Sequence, residues 1–416
     1  MKSKIIIVFI VVLAILFRLF FILKTTASEV QYDFGLIDLN TIDDYNKLYT
    51  DFDKGNLEAR HINYIMHIYN YWTLPEKIIG EFYHPPLHHF IMAVWLKVMD
   101  LFSSNSIFKI ESMQIIPFIY SLIIIVVFIK IMEELEIKNK IVPLLLISFY
   151  PIFIYLSGAL NNDELVILFE LICLLYLIKW RKDPSYKNTI IGSLAIGLGA
   201  MTKSSMFVMI IPAVFLFFKV LKEHVENDKS IKKMIIEIII LCIIVVPLSF
   251  WYHIYRNGES LGIITPFEHF SVKDKSVYER FGLLNLFEVK NYNIWNATLL
   301  TSIEFVGIHS NLLIKIIIAL DIILIINWIY LFIKSKKDSF LIFTNIAWWI
   351  SYIYFFISMP YVPTINIRYV IIPVLISYLD IGKGLDSINN KYIKIEVYTL
   401  AILISILSTV LWISLI

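Results

Sequence analysis

Residues 112–132 read SMQIIPFIYSLIIIVVFIKIM, an apolar run with Lys130 as its one charged side chain. As an α-helix this stretch rises about 30 Å, the thickness of a bilayer's hydrocarbon core. Inside hydrocarbon every backbone N–H and C=O must find its partner within the protein, so a lone apolar run of this length is helical. Comparable runs lie on both sides of it, at 4–23, 141–159, 163–180, 188–201, 205–221, 232–252, 311–333, 339–359, 366–382 and 395–416. The pattern predicts an all-α polytopic membrane protein with about eleven transmembrane helices. Composition agrees: the 416 residues are 59% hydrophobic and 17% charged, with a mean hydropathy of +0.76. Soluble domains are about 25% charged, so a single water-soluble core is excluded.

The net charge is +2, which leaves no footprint for nucleic acid. Cys173 and Cys242 both fall in apolar runs, so neither a disulfide framework nor a CxxC metal pair is present. The first run, Ile5 to Leu23, is long for a signal-peptide core and reads as an uncleaved anchor.

Lysine and arginine set the orientation. Lys2 and Lys4 place the N-terminus in the cytoplasm, and the acidic stretch from Glu29 to Glu81 belongs outside. Basic clusters at 130–140, 179–187, 219–233, 334–337 and 383–394 mark cytoplasmic turns. These assignments alternate correctly only if the apolar stretch 86–102 does not cross. It is short, opens on Pro85-Pro86 and contains His88, His89, Lys97 and Asp100, so it reads as a helix on the outer surface. Residues 57–73 read as a second amphipathic helix. Ile62, Ile65, Met66, Tyr69 and Trp72 form its apolar stripe, with Glu58, Asn63, His67 and Asn70 opposite. Two external segments result, 24–111 and 253–310, and the C-terminus lies outside.

Five clusters carry chemistry. Asp33 in Gln31-Tyr32-Asp33-Phe34-Gly35 is tethered near the outer interface, where a carboxylate acts as a general base on a hydroxyl or is simply solvated. Phe82-Tyr83-His84-Pro85-Pro86-Leu87-His88-His89 places three histidines at a proline-defined helix start, suiting a polar pocket, a substrate contact or a metal, although HExxH is absent. Asn161-Asn162-Asp163-Glu164 forms a polar turn between spans, in which Asp163 serves as a helix cap or as a site acid. Lys203 follows Gly197-Leu198-Gly199 between two short apolar runs, so its ammonium lies at membrane depth. It is either functional there or snorkels to the interface. Arg368 and Arg256 stand at outer helix ends, where an arginine fork binds phosphate or anchors the helix.

The order and spacing of these features resemble the GT-C superfamily of membrane glycosyltransferases, family 39 type, which includes protein O-mannosyltransferases and aminoarabinose transferases. The resemblance rests on the Asp33 loop, the Tyr83 to Leu87 stretch, Asn162-Asp163, Gly197 to Lys203 and Arg368-Tyr369. It implies a catalytic membrane module over 1–221 and a variable membrane region over 222–416. It implies a polyprenyl-phosphate sugar donor, a hydroxyl acceptor (protein, lipid or cell-surface polymer) and inversion at the outer face of the cell membrane. Asp33 and Asp163 would be catalytic. Lys203, Arg368, His84, His88, His89, Glu58, His61 and Arg256 would bind substrate. The family's first acidic motif is often Asp-Glu, whereas Phe34 follows Asp33 here, so Glu58 is a second candidate base. Metal dependence varies in the family and stays open. A polyprenol transporter or flippase would also have many spans, but it would place polar groups near the midplane rather than at one face.

Overall fold

The computed structural model describes residues 2–27, 61–76, 80–226, 231–257, 311–358 and 367–415. Asp33, Glu58 and the segment 258–310 lie outside the described residues. Every regular element among the described residues is helical. In chain order these are α1 (Lys2–Lys24), α2 (His61–Tyr71), α3 (Leu87–Met99), α4 (Ser106–Ser112), α5 (Ile115–Glu134), α6 (Ile141–Phe149), α7 (Pro151–Tyr155) and α8 (Asp163–Lys182). Then follow α9 (Tyr186–Ala200), α10 (Ile210–Glu226), α11 (Lys232–Asn257), α12 (Asn311–Lys334), α13 (Ser339–Ser358), α14 (Ile371–Ser387) and α15 (Lys391–Leu415).

Among the described residues seven helices are long and apolar enough to cross a bilayer, and the bent pair α6–α7 makes an eighth. Three expected spans fall short of that standard. Helices α9 and α14 have 15 and 17 residues, about 22–26 Å of rise. Helix α8 is long enough but carries Asp163, Glu164, Glu170, Lys179, Arg181 and Lys182. Each packs closely on its neighbours: α8 against α5 and α9, α9 against α11, and α14 against α6, α12 and α13, although α9 also exposes Ile190 and Leu194. The longer helices instead turn apolar side chains outward, such as Val8 and Phe9 on α1, Ile243 on α11 and Ile350 and Tyr354 on α13. Apolar surface on this scale marks contact with lipid.

Salt bridges gather the basic turns at one end. Arg181 holds Asp338 at 2.7 Å, Lys383 meets the same carboxylate at 3.5 Å, and Lys182 reaches Glu134 at 3.4 Å. The backbone amides of Lys138 and Asn139 donate to Asp386 at 2.7 and 3.0 Å. Asp163 opens α8 and Lys182 closes it, so the polar turn at 161–164 stands about 30 Å from these clusters.

The span expected at 141–159 is broken. Its two halves meet at 56°. Pro151 has no N–H to give Ile147, and it forces Tyr150 into extended backbone (φ −64°, ψ 139°). The carbonyls freed by this break are capped from another helix. Arg18 of α1, wholly buried, donates to Ser148 O at 2.6 Å, Ile147 O at 3.2 Å and Phe153 O at 3.4 Å. Trp412 of α15 donates to Pro151 O at 3.1 Å. An arginine inside an apolar anchor is thereby a structural donor.

One local expectation needs correction. In α2 the stripe Ile62, Ile65, Met66 and Tyr69 is buried, but Asn63 and His67 on the other face are buried too. The helix is therefore packed on both faces rather than half solvated. Trp72 lies past its end, at positive φ (55°), and is exposed. Helix α3, by contrast, begins at Leu87 with Pro86 at the cap position, the start that Pro85-Pro86 predicts.

Replacing Arg18 with Leu orphans two or three carbonyls in a dry interior, at about 1–3 kcal/mol each. The Arg18→Leu protein is expected to melt well below the parent in detergent, followed by thermal unfolding. An unchanged midpoint would show that Arg18 does not hold the break together.

Candidate active site

Asp163 is the first residue of α8, and the turn before it fixes its direction. Asn161 Nδ2 donates to Asp163 Oδ2 at 2.7 Å, and Asn161 Oδ1 accepts from the Asp163 amide at 3.0 Å. Asn162 occupies the cap position without capping; its Nδ2 donates instead to Thr202 O at 2.9 Å. Asp163 is therefore not a cap. Its carboxylate takes Lys203 Nζ on Oδ1 and Arg368 Nη1 on Oδ2, the latter at 3.2 Å. Arg368 Nη2 also donates to the Tyr369 hydroxyl at 3.0 Å. The Tyr369 ring underlies both cations, 5.4 Å from Lys203 Nζ and 5.0 Å from the Arg368 guanidinium.

The glycines explain how Lys203 arrives there. A Cβ on Gly197 would stand 2.7 Å from Leu248 of α11, and one on Gly199 would stand 2.6 Å from Met206. Without side chains, α9 closes onto α11 and the chain folds back into the 3-10 turn Ser204–Met209. The amides of Thr202 and Lys203 both reach Gly199 O at 2.9 Å, which ends α9 and turns Lys203 out of the helix. The Leu87 amide bonds Met201 O at 3.0 Å, docking the start of α3 on the same turn.

Exposure separates the three charges. The Asp163 side chain is 4% accessible, against 14% for Lys203 and 22% for Arg368. Two cations and one recessed carboxylate give the trio itself a net charge of +1, with the Glu81 carboxylate near enough to Arg368 to feel its charge.

Beside this trio lies a histidine cluster. His61 of α2 bonds His89 of α3 (Nδ1 to Nε2, 2.8 Å). His84 Nε2 bonds Glu81 at 3.0 Å, and His61 Nε2 stands 3.6 Å from the same carboxylate oxygen. His88 Nε2 holds Leu160 O at 2.9 Å, next to the Asn161 turn. Burial pushes His61 down to about 3, with Glu81 only partly offsetting it. Burial lowers His88 to about 4 and depresses His84 and His89 as well. All four imidazoles are neutral at neutral pH. His88 and His89 are wholly buried and hold α3 in place. Arg256, near the end of α11, donates to Phe82 O at 3.3 Å and to Pro75 O, with Tyr252 donating to Phe82 O at 3.1 Å. It fixes the segment before α3.

The structure thus brings Asp163, Lys203 and Arg368 into contact and His61, His84 and His89 into one cluster. Glu81 is the hub that sequence reasoning missed, since it was counted among the acids of a solvated loop. Its place three residues before His84 was the available signal.

Residues 83–252 match the sequence family of dolichyl-phosphate-mannose-protein mannosyltransferase. That match spans 170 of the chain's 416 residues, and the likeness over the rest of the chain is one of fold. ArnT from Cupriavidus metallidurans bound to undecaprenyl phosphate superposes with a TM-score of 0.52 at 12% identity, covering 87% of this chain and 62% of that one. The same protein in the apo state gives 0.38 at 11% identity, with 82% and 77% covered. This chain therefore spans 62% of the length of the first of these structures, and the likeness is one of fold. No curated protein sequence matches the chain. The segment matching the family holds Asp163, Lys203, His84, His88 and His89, while Arg368 lies outside it.

Removing one partner of a buried ion pair costs about 3–5 kcal/mol, because the other charge is left unpaired. Lys203→Met leaves Asp163 paired with Arg368 and is expected to destabilise only mildly. Asp163→Asn leaves two adjacent cations and is expected to destabilise strongly. In the double variant Lys203→Met restores part of that loss. Thermal unfolding of the four proteins measures the coupling, and strictly additive effects would contradict the pairing.

Proposed function

We propose that the chain is a glycosyltransferase that moves a sugar from a polyprenyl-phosphate donor to a hydroxyl acceptor. Transfer is with inversion, at the outer face of the cell membrane. The observation that carries this reading is the net-positive trio Asp163, Lys203 and Arg368 at the polar end of α8. Both cations are more accessible than the carboxylate they share. A charge at membrane depth costs on the order of 2.5–3.5 kcal/mol when unpaired. A lipid-linked phosphate arrives at that depth with its tail between helices. That a protein of the same fold is known with undecaprenyl phosphate bound supports a donor of this class.

In this mechanism the donor phosphate bridges Lys203 and Arg368, while Asp163 keeps the two cations in position. As the sugar–phosphate bond breaks, negative charge builds on the departing phosphate, and both cations hold it more tightly than they hold the ground state. A base removes the acceptor's proton as the hydroxyl attacks the sugar from the opposite face. Asp33 is assigned that role, with Glu58 the second candidate. The lipid phosphate then leaves. His84 lines the approach beside Glu81, while Arg256, His61, His88 and His89 hold its walls.

Transfer of labelled sugar in proteoliposomes tests this. Lys203→Met and Arg368→Met are each expected to lower turnover by about 100-fold, the scale for losing one preorganised charge-stabilising donor. Full transfer by both would remove the phosphate site. Asp33→Asn is expected to cost about 100-fold while donor binding survives. Normal transfer by Asp33→Asn combined with loss in Glu58→Gln would move the base to Glu58.

A further inference from the structure

We propose that His61, Glu81 and His84 form a binding site for a divalent transition-metal ion of the zinc class. One ligand atom from each of the three residues lies within 4.8 Å of the others. His61 Nε2 and His84 Nε2 converge on Glu81 Oε2 at 3.6 and 3.0 Å. Zinc bonds of about 2.0–2.2 Å to nitrogen and carboxylate oxygen place tetrahedral ligand atoms about 3.3–3.4 Å apart. The two spacings to Glu81 bracket that value and all three ligand atoms lie within 4.8 Å of one another, so side-chain rotations that draw the group together admit the ion.

The donor set has the chemistry such an ion selects. Two neutral imidazoles and a carboxylate suit zinc and its neighbours rather than magnesium or calcium, which prefer oxygen. His61 and His84 are both buried and Glu81 is partly exposed, so the group is shielded but still open to one side. Three protein ligands leave a fourth position for water.

The surroundings also match a metal centre. A ligating histidine commonly donates its second ring N–H to a fixed acceptor, which sets tautomer and orientation. His61 does this through Nδ1 to His89 Nε2 at 2.8 Å. In that tautomer the His61 Nε2 lone pair faces the Glu81 carboxylate, two acceptors opposed at 3.6 Å, and a cation between them resolves the conflict. The rings are stacked in register: His61 lies 5.3 Å from His84 at 14° and 5.1 Å from His89 at 15°. The opposite proton arrangement, with His89 donating to His61 and His61 to Glu81, gives a hydrogen-bonded chain that binds no metal. The two arrangements predict different metal contents.

The ion would join α2 to the 3-10 turn Gly80–Tyr83, two segments that approach from either side of residues 77–79. It would clamp the entry to α3, whose first amide docks on the Lys203 turn. The proposal does not depend on glycosyl transfer, because its readout is bound metal.

The full chain, purified in detergent, is loaded with zinc, dialysed and assayed by elemental mass spectrometry. The parent is expected to hold about one zinc per chain. Glu81→Gln and His84→Ala are expected to hold nearly none, and Lys203→Met to keep it. Cobalt loading of the parent needs no variant and is expected to give the visible d–d bands of tetrahedral coordination. A parent that retains no zinc and shows no cobalt bands overturns the proposal, as does a Glu81→Gln protein that retains zinc fully. Transfer activity lost in Lys203→Met with zinc retained bears on the donor site alone.

Discussion

One buried carboxylate shared by two cations fixes the polar end of this membrane bundle. Asp163 comes from the start of α8, Lys203 from the turn after α9, and Arg368 from the 3-10 turn Ile367–Val370 before α14. The ion pairs join segments far apart in sequence around a buried carboxylate, where a charge left unpaired is costly. Neutral bonds reinforce the junction: Asn162 holds Thr202, Leu87 holds Met201, and His88 holds Leu160. The same contacts that stabilise the fold therefore aim two cations at one accessible point.

Much of the helical layout was legible in the sequence, because a bilayer allows few alternatives. The eleven apolar runs each correspond to a helix or helix pair. The short runs flanking Lys203 emerge as the 15-residue α9 and the 3-10 turn leading into α10. Hydropathy reads length and apolarity, however, and is silent on tertiary donors. Tyr150-Pro151 was a sufficient signal for the break in the 141–159 span. That Arg18 would cap it, from a helix some 130 residues earlier, was not readable from local sequence. An arginine in an anchor must find buried acceptors, but the sequence does not say which.

The site was legible to a similar degree. Asn161-Asn162-Asp163, Lys203 and Arg368 stood out as polar residues at the ends of apolar runs, and the structure joins them. Glu81 did not stand out, because counting charge along a loop treats every acid as solvated. Asn63 and His67 were assigned to a wet face by helical periodicity, yet both are buried. Periodicity identifies one packed face and cannot exclude a second partner on the other.

The central claim is that the two accessible cations beside Asp163 hold a lipid-borne phosphate. A cryo-EM structure of the chain in lipid nanodiscs, with a polyprenyl phosphate added, tests it most directly. The account predicts phosphate density within hydrogen-bonding reach of both Lys203 Nζ and the Arg368 guanidinium, with the isoprenoid tail running between helices. Phosphate density placed elsewhere, with Lys203 and Arg368 still closed on Asp163 alone, would contradict it.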